Sequence, residues 1–331
     1  MRATTALTTA LMVTAAHAIN GKCRTLVLSG GANYGSYEVG VMWGLVNYGN
    51  PEDFTWDVIS GVSAGAINTS ATAVFATGDE KNMVQFLSDT WAGLTTPDIW
   101  QFWPDVGVVG EIEAFFNKPS MLDSSPAIAT MAKMIAPYET IKKRFAFGAV
   151  DVNSGDYEVF DQTNISFEEL PQAAMSSGSI PVVFPPQHFH GYVLMDGGTV
   201  WDINIDSAVN QCLDAGYDEK DIIMDVIVCG YSEIEEKTIT NNAYHNYEEG
   251  QSIRHLYSFN NAIQPYLRSY PDVETRYYIQ GRDYDCDVPS SIIFNNSTTW
   301  CLQEKGRADA KKFLDLGQEE VHRSLDSWEK D

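Results

Sequence analysis

Trp56-Asp57-Val58-Ile59-Ser60-Gly61-Val62-Ser63-Ala64-Gly65-Ala66-Ile67 is the stretch on which the reading of this chain turns. The run from 54 to 60 predicts a strand, and the small apolar residues over 64–76 predict a buried helix. Gly61-Val62-Ser63-Ala64-Gly65 lies between them, a G-x-S-x-G on a strand-to-helix turn. Chemistry wants this arrangement for a steric reason. A nucleophile on a tight, strained turn tolerates only small neighbours, here Gly61 and Gly65, and the turn holds its hydroxyl above the sheet edge. The helix behind it offers unpaired N–H groups and a partial positive charge to a developing oxyanion. Ser63 is therefore the candidate nucleophile; the plainer alternative is a glycine-rich turn with a capping serine.

Upstream, Ser29-Gly30-Gly31-Ala32-Asn33-Tyr34-Gly35 is a second glycine-rich turn between a predicted strand (24–29) and a predicted helix (34–48). Such turns let backbone N–H groups approach an anion. It lacks the lysine of a phosphate-binding P-loop, and Ala32 stands where G-x-G-x-x-G needs its second glycine. An oxyanion hole beside Ser63 is the other use, and a plain tight turn the third. Two successive strand–turn–helix units predict an α/β fold with a mostly parallel sheet and covering helices.

Further along, 144–152 and 157–161 flank Asn153-Ser154-Gly155-Asp156 as a hairpin. Helices are expected over 167–177 and 203–215, strands over 192–195, 222–229 and 275–280, and polar helical stretches over 233–267. A charged helix over 299–328 is interrupted near Gly317. The segment 86–137 concentrates Trp91, Trp100, Phe102, Trp103, Phe115 and Phe116 without strand alternation. It reads as helices and loops over one end of the sheet, serving either as ordinary packing or as a lipid-binding surface. Asp196-Gly197-Gly198 ends the strand at 195. A carboxylate there can take a serine proton and return it to a leaving group, or simply accept backbone bonds in a turn. No histidine suits a triad: His188 and His190 precede Asp196, while His245, His255 and His322 follow in polar, helix-like surroundings.

The chain has 331 residues, with 45 acidic against 21 basic side chains and a formal net charge of −24. That excess argues against nucleic acid, which needs clustered Lys and Arg, and against electrostatic docking on anionic membranes. Arg2, an apolar small-residue run and Ala16-His17-Ala18 predict a signal peptide over 1–18, with one domain over 19–331 entering the secretory route. There is no C-x-x-C pair for a structural zinc site. Cys286 and Cys301 flank a polar loop and either pair or stand as separate thiols. Cys212 and Cys229, on a helix and the following strand, read as buried thiols, and the odd count of five leaves at least one cysteine unpaired or intermolecular. Of four N-x-[ST] sites, Asn68 falls in a packed helix, while Asn164, Asn295 and Asn296 lie in polar loops and suit glycosylation.

These three segments together resemble the patatin-like phospholipases. Gly35-Ser36-Tyr37-Glu38-Val39-Gly40, Ser177-Gly178-Ser179-Ile180-Pro181 through Phe184-Pro185-Pro186, and Gly306-Arg307-Ala308-Asp309-Ala310 are similar to further stretches of that family, so the likeness runs from about 25 to 314. The resemblance implies a three-layer α/β fold with helices on both faces, and a Ser63–Asp196 dyad supported by Gly197 and Gly198. It further implies oxyanion donors from the N–H groups of Gly30, Gly31 and Ala32, joined by that of Ala64. The implied substrate is a lipid or other ester met at a membrane or lipid-aggregate surface, with no metal or organic cofactor. The chain departs from the family at Ala32, which replaces a third glycine, and at Tyr34, which replaces a Lys or Arg. A positive φ at Ala32 would cost about 1 kcal/mol, and the lost cation favours neutral lipids or simple esters. Two rivals remain: a histidine-dependent hydrolase, and a silent storage or lipid-binding protein on the same fold.

Overall fold

Strand β1 (Cys23–Leu28) is buried at every position, as expected of a central parallel strand covered on both faces. The structure, a computed structural model, describes residues 21–105, 117–229, 268–281 and 284–317, together with 250, 253, 257, 263, 265 and 266. The predicted signal peptide, Phe115, Phe116, most of the polar stretch 233–267 and the chain after 317 lie outside these residues. Beside β1 stand β2 (Val58–Gly61), β3 (Arg144–Asp151), β4 (Tyr157–Asp161), β5 (Gln187–Phe189), β6 (Tyr192–Asp196), β7 (Ile222–Val228) and β8 (Glu274–Gln280). The pairing path is β5-β6-β3-β2-β1-β7-β8, with β4 also on β3. The pairs β3–β2, β2–β1, β1–β7 and β7–β8 are parallel, whereas β4 and β6 meet β3 antiparallel and β5 meets β6 antiparallel.

Alternation along the strands builds two cores. Leu26, Leu28, Ile59, Phe145, Phe147, Ile227 and Ile279 face one way, into the larger apolar cluster. It is covered by α1 (Gly35–Tyr48), α2 (Ala64–Thr72), α3 (Glu80–Gly93), the short α4 (Thr96–Ile99), α5 (Ser125–Ile135), α6 (Leu170–Ser177) and α8 (Asn296–Leu316). Cys23, Val27, Val58, Met224, Val226 and Val228 face the other way, against α7 (Ile205–Asp214) and Ile263 and Tyr266. The chain is thus a mixed, mostly parallel sheet between helical layers. The expected strand over 54–60 enters the sheet only at Val58. Before that point Trp56 is pinned by its Nε1–H to Asp225 Oδ2 (2.8 Å), and its carbonyl accepts from buried Lys143. The C-terminal helix ends at Leu316, where Gly317 takes φ 70°, as the break at that glycine anticipated.

One cysteine expectation is corrected. Cys212 is not a free thiol but is bonded to Cys23 (S–S 2.04 Å), because the first residue of β1 and the α7 face it meets point into the same smaller core. Sequence separation hid this contact. Cys286 and Cys301 are bonded to each other, and Cys229 is a buried free thiol. Asn68 is buried as expected, and its role is structural. It donates to Gly35 O and Glu38 Oε2 (both 3.0 Å) and accepts from Trp91 Nε1–H (2.7 Å), tying α1, α2 and α3 together beneath the turn that carries Ser63. Burial pushes the Glu38 carboxyl well above the usual carboxylate range.

Two outcomes follow. The Cys23–Cys212 bond closes a long loop (sequence separation 189). Cys23→Ala with Cys212→Ala should lower the unfolding free energy by about 2–5 kcal/mol in chemical denaturation; an unchanged midpoint would contradict the bond's contribution. A carboxyl whose folded pKa is raised keeps its full contribution below its unfolded pKa and loses it as pH rises through the folded value. Stability should therefore fall as pH rises above the ordinary carboxylate range, and Glu38→Gln should flatten that fall. Equal slopes in the two proteins would show that Glu38 is ionised when folded.

Candidate active site

The site forms where two strands meet end to end on one edge of β3. Phe147 pairs with Gly61 of β2 on one side and with Phe160 of β4 on the other. Two residues on, Ala149 pairs with Asp196 of β6 and with Glu158 of β4. β4 fills one edge of β3, so β2 and β6 share the opposite edge, running toward each other. About 7 Å of strand separates their pairing positions, and the chain after Gly61 turns into the space in front of Asp196. A side chain at Gly197 is excluded there, since its Cβ would lie 2.4 Å from Gly148 O.

Ser63 has φ 53° and ψ −117°, the strained geometry expected of a strand-to-helix turn. Gly61 and Gly65 make that turn possible by close approach: a Cβ on Gly61 would be 2.2 Å from Gly65 O, and one on Gly65 would be 2.6 Å from Ser29 O. Gly65 N–H also donates to Ser29 O (3.1 Å), joining the second turn to the first. The Ser63 hydroxyl donates to Asp196 Oδ2 at 2.7 Å, and Gly198 N–H donates to Asp196 Oδ1 at 2.7 Å. Ser63 and Asp196 are 6% and 5% exposed, so the pair is shielded from bulk water.

The first turn is narrower as a donor set than the sequence suggested. Gly30 N–H is engaged with the backbone carbonyl of Asp202 at 3.0 Å. Among the described residues, the N–H groups of Gly31 and Ala32 donate to no acceptor. Ala32 does take a positive φ, 51°, so the steric cost foreseen for alanine applies. Gly31 packs so tightly on Cys229 that a Cβ would sit 2.5 Å from Sγ. Tyr34, at the position where the resemblance expects a cation, packs against the Tyr284 ring at 4.8 Å with the planes tilted by 39°.

Sequence reasoning missed several supports. Ser63 N–H donates to Ser177 Oγ (2.9 Å), and Asp196 N–H donates to Ser179 O (2.9 Å), so the end of α6 ties both residues from behind. The repeated serines of Ser177-Gly178-Ser179 were a visible signal without a visible role. The Asp202 carboxylate and the Tyr157 ring also border the site: Asp202 Oδ1 would lie 2.9 Å from a Cβ on Gly198, and the ring covers Gly148. Burial, then the charges of Asp196 and Asp202, push the Tyr157 hydroxyl far up. His190 is held by Glu169 at 2.9 Å, and His188 is exposed on β5. His245, His255 and His322 lie outside the described residues. Among the described residues, no group of three or more His, Cys, Asp or Glu is placed to hold a metal ion.

No curated protein matches the chain. Among solved structures it is similar to VipD from Legionella pneumophila, with 14% identity and a TM-score of 0.43, over 90% of this chain and 67% of that one. It is also similar to ExoU, solved in complex with SpcU from the type III secretion system of Pseudomonas aeruginosa. That match has 15% identity and a TM-score of 0.36, over 90% of this chain and 52% of the other, so the chain spans about half its length. The family model described as patatin-like phospholipase matches residues 26–209, from β1 through both glycine turns and Asp196 into α7. That match covers more than half of the sequence, and the chain belongs to the patatin-like phospholipase family.

Proposed function

We propose that this protein is a serine acyl-hydrolase that cleaves ester bonds of phospholipids or related lipids through a Ser63–Asp196 dyad and an acyl-enzyme. The observation that carries the reading is the 2.7 Å bond from the Ser63 hydroxyl to Asp196 Oδ2 on a strained, buried turn. Asp196 accepts the Ser63 proton as Oγ attacks the ester carbonyl. The oxyanion is received by the N–H groups of Gly31 and Ala32, with that of Ala64 at the start of α2. Asp196 then returns the proton to the leaving alcohol, takes a proton from water as it attacks the acyl-enzyme, and hands it to Ser63. Gly198 N–H holds the second carboxylate oxygen, so Oδ2 stays on the serine throughout.

Surface chemistry supports an uncharged lipid surface as the place of encounter. Val182, Val200 and Trp201 are exposed. Val200 and Trp201 both donate their N–H groups to Gly197 O, immediately after Asp196. With a net charge of −24, apolar contact rather than attraction to anionic headgroups would bring the site to lipid. The two disulfides support passage through an oxidising compartment, consistent with a secretory route for this chain.

Ser63→Ala and Asp196→Asn should each lower ester hydrolysis by at least about a thousandfold, with the thermal unfolding midpoint nearly unchanged. Near wild-type turnover in either variant would rule out the dyad. Across vesicles, hydrolysis should be faster on zwitterionic than on strongly anionic lipid, and the opposite order would remove apolar docking from the account.

A further inference from the structure

The two free donors of the first turn sit in a conformation that alanine does not favour. Ala32 is left-handed, at φ 51°, a state that costs a non-glycine residue about 1 kcal/mol or more. An oxyanion donor is useful only if it is already aimed; Tyr34 N–H on Gly31 O (3.0 Å) closes the turn from within, and bonds from outside oppose the strain at Ala32. Upstream, Gly30 N–H is tied to Asp202 O. Downstream, the hold is Asn33, which is fully buried. Its N–H donates to Ser291 O (2.9 Å), and its side-chain Nδ2 donates to Ser290 O (3.1 Å) and Ile293 O (2.9 Å).

That platform is itself fixed. Trp100 Nε1–H donates to Ile292 O (2.7 Å), Thr96 N–H donates to Phe294 O (3.0 Å), and the segment is closed by the Cys286–Cys301 bond. A buried amide separated from these carbonyls would leave its donors unmet, at a cost of about 1–3 kcal/mol. The demand of Asn33 for its partners therefore opposes relaxation of the residue before it.

We propose that Asn33 is the positioning residue of the oxyanion turn, holding the Gly31 and Ala32 N–H groups in place through three bonds to the 290–293 segment. It makes no hydrogen bond to Ser63 or Asp196 and acts only through the turn. The inference rests on the Ser63–Asp196 reading.

The test is hydrolysis of a short-chain p-nitrophenyl ester by the full chain, as a cycle of Asn33→Ala, Ala32→Gly and the double variant. Asn33→Ala should lower kcat roughly ten- to a hundredfold with KM changed by less than about twofold, because only the transition state carries the oxyanion. Glycine accepts a left-handed φ without strain, so with glycine at 32 the turn has less to be held against. The same Asn33→Ala change should then cost less than about threefold in kcat. Should Asn33→Ala fail to fold, Asn33→Ser, which keeps one donor, carries the same cycle. A kcat within twofold of wild type, a loss confined to KM, or an equal fold-loss in both backgrounds would overturn the proposal. Wild-type protein without any hydrolysis that Ser63→Ala abolishes would instead overturn the dyad reading beneath it.

Discussion

The shared edge of β3 governs everything else in this molecule. A strand normally pairs along its length with one neighbour per edge. Here β2 stops at Gly61 against Phe147, and β6 arrives from the opposite direction to stop at Asp196 against Ala149. The gap between two strand ends is where backbone is free to leave the sheet, so both the Ser63 turn and the Gly197 turn emerge there. A 2.7 Å contact between residues 133 positions apart then follows from register alone. The glycines at 61, 65 and 197 are the local price of bringing three backbone segments so close.

Around that contact the supports differ in kind. Ser177 and Ser179, at and just beyond the end of α6, accept from the backbone N–H groups of Ser63 and Asp196. The Glu38–Asn68–Trp91 network ties three helices under the same turn. The first glycine turn is closed by Tyr34 N–H on Gly31 O (3.0 Å) and backed by Cys229, whose thiol donates to Gly30 O (3.0 Å). It is also bonded to Asp202 on one side and to the 290–293 segment on the other, two pieces of chain far apart in sequence. Where the family resemblance leads one to expect a basic side chain, an aromatic pair of Tyr34 and Tyr284 fills the position. An aromatic contact thus stands where a cation was expected, in keeping with a strongly acidic chain.

What the sequence made legible was local. The strand–turn–helix around Ser63 could be read from residue size alone, since only small residues survive at 61 and 65. The fold class followed from the repeat of that unit. Asp196 was not legible in the same way, because a D-G-G turn has an ordinary structural use and only the register of β6 on β3 brings it to the serine. Cys212 was misread for a similar reason: which face of α7 meets which face of β1 is a property of the packed sheet. Asn33 gave no signal, being a polar residue in a polar turn whose partners lie more than two hundred positions away. The cost at Ala32 was legible as a condition, and the φ of 51° meets that condition.

The account stands on one chemical claim, that Ser63 is a nucleophile activated by Asp196. An alkyl fluorophosphonate reacts covalently with an activated serine and marks it for peptide mapping. The account predicts a single adduct on Ser63 in the wild-type chain and labelling slowed by orders of magnitude in folded Asp196→Asn. An unlabelled Ser63, an adduct on another residue, or an undiminished rate without the Asp196 carboxylate would contradict it.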